Sequence, residues 1–209
     1  MRKEPDIHIE KPSLLVVEGK DEELFFGALR KHLGLQNLQI LGIGGKTNLR
    51  TNLEALTRTH DFGSVLRLGV VRDANDEPGA AFQSVCGALK AAGLPVPTSP
   101  LESAGDCPRV AVMIVPGSGE TGKMEDICLA AVAQDPAIPC VEQYFECLKE
   151  KLKKDDLPED FSKARIHAFL ASRHKPDLRL GEAAQTGYLP WDHEAFQPAK
   201  DLLKMVAGT

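Results

Sequence analysis

The sequence lacks any apolar run near the ~20 residues that a bilayer-spanning helix requires, and its opening stretch, Met1 to Glu10, is charged rather than signal-like. Neither a membrane span nor a secretory signal is expected, and the chain reads as cytoplasmic. CxxC pairs are also missing. The five cysteines (Cys86, Cys107, Cys128, Cys140, Cys147) form an odd, scattered set, which argues against a zinc knuckle or a disulfide framework. They are expected to be reduced and mostly packed inside. Net positive charge is absent too: 25 Lys+Arg stand against 30 Asp+Glu, a net charge of −5. That is the wrong sign for a protein that grips nucleic acid with its whole surface, so any such contact must be local or helped by metal.

What is present fits an ordinary globular chain. At 209 residues with 43% hydrophobic content, one good-sized core is expected, and two independent domains would be cramped. The acidity is unevenly placed. Residues 61–140 carry 5 Lys+Arg against 10 Asp+Glu, whereas residues 141–209 carry 11 against 12. An uncompensated carboxylate cluster is expected where cations bind, and a solvated acidic surface gives the same excess.

Local patterns alternate between strand and helix. Leu14-Leu15-Val16-Val17 is a continuous apolar run stopped by Glu18-Gly19, as in a strand buried on both faces. Asp21 to Leu33 has helical spacing, with Gly34 as its stop. Leu38 to Ile43 reads as a second strand, followed by a Gly44-Gly45 turn and a helix capped by Thr47. Val65 to Val71 and Val110 to Val115 are further strands, and Ala80 to Ala92 and Lys123 to Ala133 further helices. The stretch from Pro95 to Pro108 reads as a loop, either a lid or an insertion. Beyond Pro139 only helices are expected, over Val141–Lys153, Ser162–Ala171 and Phe196–Val206. The fold class is therefore α/β, a mostly parallel sheet with helices on both faces over residues 12–138, plus a C-terminal helical extension over 139–209.

In a parallel sheet the loops after the strands' carboxyl ends share one edge, where ligands bind. That rule gathers Glu18 after the first strand, Asp73, Asn75 and Asp76 after the third, and Glu120, Glu125 and Asp126 after the fourth. Oxygen ligands of this kind suit Mg²⁺ or Mn²⁺. Glu125 and Asp126 are also what a helix start attracts through its dipole.

Val16-Val17-Glu18-Gly19-Lys20-Asp21 together with Val70-Val71-Arg72-Asp73-Ala74-Asn75-Asp76 resembles the two signatures of the Toprim domain. That domain is shared by topoisomerases, bacterial primases and the overcoming-lysogenisation-defect nucleases. The resemblance covers roughly residues 12–135. It implies a Rossmann-like fold, a glutamate at Glu18 in acid–base or metal chemistry, and Mg²⁺ held from Asp73. Gly44-Gly45-Lys46, Gly122-Lys123-Met124-Glu125-Asp126 and Leu180-Gly181-Glu182-Ala183-Ala184 are similar to stand-alone prokaryotic Toprim proteins allied to those nucleases. One departure matters: Asn75 stands where the family has its second aspartate. Either Asp76 swings into the site, or the site is weakened by a neutral ligand.

Basic residues near these motifs, Lys20, Lys46, Arg72 and Lys123, with Arg173 and Lys175 in a tail stretch that also holds Arg165, His167, His174 and Arg179, are candidate phosphate or nucleic-acid contacts. Tyr188 and Trp191 either stack on bases or anchor the tail. Gly117 to Met124 imitates a phosphate loop, but Met124 stands where a hydroxyl is needed for Mg²⁺, so no nucleoside triphosphate is expected. No strand-passing tyrosine context or primase zinc module is present. The expectation is metal-dependent, nuclease-type phosphodiester hydrolysis on nucleic acid. The alternative is a non-catalytic module binding nucleotide, phosphate or a protein partner.

Overall fold

The computed structural model describes residues 8–44, 49–117 and 119–209. In chain order it runs β1 (Ser13–Val17), α1 (Lys20–His32), β2 (Leu38–Gly42), α2 (Leu49–Thr57), β3 (Arg67–Asp73), α3 (Pro78–Ala91), β4 (Ser103–Ala104), β5 (Arg109–Val115) and α4 (Met124–Ala131). Four helices follow: α5 (Ile138–Lys151), α6 (Phe161–Ala171), α7 (Leu180–Gln185) and α8 (Gln197–Ala207). The strands form one sheet in the order β2-β1-β3-β5-β4, parallel except for β4, which pairs antiparallel with β5 at the edge. The expected α/β class with a mostly parallel, helix-covered sheet is what the chain adopts. The cap expected at Thr47, and Lys46 beside it, lie outside the described residues.

Burial explains why β1 reads so clearly in sequence. All five of its residues are buried, because the strand lies between β2 and β3 with helices on both sides. Leu15, Val17, Val71, Met113 and Val115 face one layer, made by α1, α4 and the C-terminal helices. Leu14, Val16, Leu68, Val70, Val112 and Ile114 face the other, made by α2 and α3. Each fully buried Leu, Val or Phe contributes roughly 1.5–3 kcal/mol by leaving water. Proline in the first turn presets the start of α3, α5 and α8.

The C-terminal helices complete the first layer rather than standing apart from it. α8 crosses the sheet over β1, β3 and β5. Gly69 makes the crossing close, since a Cβ there would sit 2.8 Å from Val206 Cγ2 and 2.5 Å from Leu15 Cδ1. The Leu180–Ala184 motif is used similarly: a Cβ on Gly181 would meet the Asp21 carbonyl oxygen at 2.6 Å, so this glycine lets α7 lie against α1.

Two expectations are corrected. The Pro95–Pro108 stretch is not all loop, because Ser103 and Ala104 pair with Ala111 and Val110; a two-residue strand is too short to show alternation. The cysteines are all unpaired but not mostly packed. Cys128 is buried and Cys86 half-buried, while Cys107, Cys140 and Cys147 are exposed. Among the described residues no helix is long and apolar enough to cross a membrane.

Candidate functional site

β1 and β3 are parallel neighbours, with Val16 opposite Val70. That register carries Glu18, just past β1, to the level of Arg72 and beside Asp73 at the end of β3. Glu18, Glu22 and Asp73 line one small pocket of about 10 Å³, floored by Phe26, Val115 and Met124. That is room for roughly one water-sized guest. Glu22 enters from the first turn of α1, folded back over Gly19 so closely that a Cβ there would lie 2.9 Å from its Oε2. Sequence reasoning did not select Glu22. The usable signal was its spacing from Glu18 across a strand-to-helix turn, which returns a first-turn acid toward the strand end.

Asn75 has a backbone role. Its φ of 51° is left-handed, a conformation that asparagine tolerates better than most residues. Asn75 and Gly122 exchange backbone hydrogen bonds of 2.9 Å each, tying the end of β3 to the loop before α4. Asp76 follows and is exposed. It lines a separate, wide hollow of about 390 Å³ with Arg72, Asp73, Asn75 and Ser84. Asp73 thus borders both hollows, while Asp76 borders only the outer one.

The acids at the start of α4 are arranged differently. Asp126 accepts from the Lys123 backbone N–H at 2.8 Å and from the Ser162 hydroxyl. Lys123 Nζ is 2.6 Å from Asp160 Oδ2, a second tie between α4 and α6. The Asp160 hydrogen bond pushes the lysine's pKa up, burial opposes this, and the charges of Asp160, Glu125 and Asp73 reinforce it. Burial raises the Asp160 pKa, but the bonds from Lys123 and the Lys163 backbone outweigh it and hold the carboxyl below its usual value. Asp160 also escaped sequence reasoning, because only the docking of α6 brings it here. In the glycine-rich loop, the Gly122 and Lys123 amides are both engaged, by Asn75 and Asp126.

The remaining basic candidates are dispersed. Lys20 pairs with Glu23 at 3.0 Å, and Arg72 donates to Ser84 Oγ at 3.1 Å. Arg173 grips Asp135 with two 3.0 Å bonds and lies over the Phe169 ring, fastening the end of α6 to the turn after α4. The Lys175 amide donates to the Tyr188 hydroxyl, and Trp191 packs on Phe25 and Phe196, so both tail aromatics act as anchors.

The donors around the small pocket are carboxylates, which fit a hard divalent cation in kind. Mg²⁺ commonly takes one or two carboxylates and completes its shell with waters and substrate phosphate. Among the described residues no group of three or more His, Cys, Asp or Glu is arranged to hold a metal on its own.

A family model matches residues 12–207, nearly the whole chain, and is described as Protein of unknown function (DUF3226). The chain belongs to this family. No curated protein matches its sequence. Its fold is similar to two structures of the C-terminal region of the Xanthomonas campestris pv. campestris OLD protein. The TM-scores are 0.51 and 0.50 at 12% and 13% identity, over 96% of this chain and 98% of each of those. The C-terminal region of the Burkholderia pseudomallei OLD protein gives 0.49 at 13% identity, over 95% of this chain and all of that one.

Proposed function

We propose that this DUF3226 chain hydrolyses phosphodiester bonds in nucleic acid, with Mg²⁺ or Mn²⁺ held from Glu18 and Asp73. The observation that carries this reading is the meeting of Glu18, Glu22 and Asp73 around one pocket at the carboxyl edge of the sheet. The likeness in fold to OLD C-terminal regions, and the two Toprim-like motifs, support it. A bound cation would supply charge neutralisation at the phosphate and a more acidic water. Glu18 accepts the proton of the attacking water, whose oxygen bonds to phosphorus as the P–O bond to the leaving strand breaks and the departing oxygen takes a proton from solvent water. Asp73 holds the reacting phosphate's counter-charge in place, kept in position by the Asn75–Gly122 bridge behind it. Arg72, at the mouth of both hollows, meets a phosphate oxygen of the strand.

The second reading, a non-catalytic module for phosphate, nucleotide or a protein partner, is favoured by Asn75, a neutral amide where the Toprim-like motif carries a carboxylate. A calorimetric Mn²⁺ titration, paired with cleavage of single-stranded and nicked DNA and RNA, separates the two. Hydrolysis predicts Mn²⁺ binding, faster cleavage in Mn²⁺ than in Mg²⁺ because Mn²⁺ binds such donors more tightly, and loss of both in Asp73→Ala. A wild-type protein that binds neither ion and cuts nothing is the module.

A further inference from the structure

A third hollow lies between the C-terminal end of α1 and helix α7, away from the acidic pocket. Its volume is about 650 Å³, inside the roughly 300–1,000 Å³ usual for small-molecule sites. The two helices touch where Gly181 meets Asp21 and Leu24. Farther along, the walls shrink to Gly27, Ala28, Ala184 and Gly187, and the hollow opens over them.

Arg30 and Lys31 form its cationic wall, with His32 beside them, and Trp191 forms another. The negative end of the α1 dipole accounts for cations at this place, but not for a cavity bounded by an indole. The groups are held: Arg30 Nη1 donates to the Leu38 carbonyl at 2.7 Å, and His32 lies 3.4 Å from Asp192. Arg30 Nε is buried, with no hydrogen-bond partner among the described residues. Trp191 is wedged edgewise against Phe25, with ring centroids 5.2 Å apart, and leans on Phe196. A cationic wall, a floor of small residues and a fixed aromatic ring together match a phosphate joined to a flat base.

We infer that this hollow binds a nucleotide, either free or as one unit of a single strand, with Lys31 toward the phosphate, Arg30 adding its charge from the wall behind, and Trp191 toward the base. Lys31 and Glu22 lie toward opposite ends of α1, about 14 Å apart along the helix, so this site is distinct from the acidic pocket.

Trp191 is the chain's single tryptophan, so tryptophan emission comes from the wall of this hollow and from no other place in the chain. The full chain in EDTA is titrated with adenosine monophosphate, a thymidine oligonucleotide and inorganic phosphate. Saturable quenching is expected, weakened by salt and about tenfold or more by Lys31→Glu, the loss of one charge-assisted contact. Lys31 is exposed, so the variant keeps the fold. Quenching by both organic probes assigns a free nucleotide, and quenching by the oligonucleotide alone assigns a strand. Inorganic phosphate should compete without quenching. No saturable quenching by either organic probe, or quenching undiminished in Lys31→Glu, overturns the inference. Because no divalent cation is present, the result does not depend on the Glu18–Asp73 pocket.

Discussion

Two acidic turns meet at the carboxyl edge of the sheet, alike in composition and unlike in use. At the start of α4, Asp126 caps the Lys123 amide and receives the Ser162 hydroxyl, and Lys123 is tied to Asp160. These carboxylates hold α4 to α6. At the ends of β1 and β3, Glu18, Glu22 and Asp73 instead line one small pocket, which brings carboxylates of like charge to one place. A carboxylate at a helix start is explained by capping and the dipole. Carboxylates brought from two strand ends and a helix to the lining of one pocket are oxygen donors of the kind that a hard cation takes.

The sharpest way to break this comparison is to remove one acid from each turn and measure unfolding by urea in EDTA. Asp126→Ala removes a cap and a bond between helices, so a loss of about 2–3 kcal/mol is expected. Asp73→Ala leaves the backbone pairing of β3 with β5 and the Asn75–Gly122 bridge in place, and it relieves crowding with Glu18 and Glu22 at the loss of an attraction to Lys123. Its stability should stay within about 0.5 kcal/mol of wild type or rise. If Asp73→Ala costs as much as Asp126→Ala, the two turns do the same structural job and the pocket loses its claim.

This difference was only half legible in the sequence. β1 could be read because it is buried on both faces and so forms an unbroken apolar run, and its stop at Glu18-Gly19 located the turn. β4 could not, because two residues carry no period. Asn75 read either as a weakened ligand or as a place that Asp76 fills, and its left-handed backbone and bridge to Gly122 were not legible, since the bridge forms only once β3 and β5 are side by side. Arg173 read as a candidate phosphate contact, and its tie to Asp135 was not legible, since Asp135 lies on a turn that only the packing of α4 against α6 brings near. Local order along the chain follows from periodicity, whereas the partners of long charged side chains follow from tertiary docking.

A smaller effect should appear in the pH dependence of the α4–α6 tie. Asp160 titrates below its usual 3.8 when folded, so its contribution is present above that value and is lost as pH falls through the lowered one. Lys123 titrates above its usual 10.5, so its contribution is complete below 10.5 and is lost as pH rises through the raised value. Thermal melts of wild type and Lys123→Met should differ by about 1 kcal/mol across the neutral range, the modest worth of a pair about a third exposed. The curves should converge toward both extremes. A gap that persists at low pH would mean that Lys123 acts through its aliphatic stem rather than through Asp160.

The smallest expected effect sharpens the comparison from the other side. Lys20 stands at the start of α1, two residues from Glu18, and its only ion pair among the described residues is with Glu23, three residues on, with 68% of its side chain exposed. Such a pair contributes little, so Lys20→Ala should change stability by less than about 0.5 kcal/mol. If the neighbouring pocket receives a nucleic-acid strand, the same substitution should weaken binding evenly across sequences and lower the slope of log affinity against log salt by about one, the mark of a single lost phosphate contact. Fluorescence anisotropy of a labelled single strand at several salt concentrations measures both quantities. An unchanged slope would leave Lys20 as a solvated first-turn residue and would place the path of the strand on the Arg72 side of the pocket.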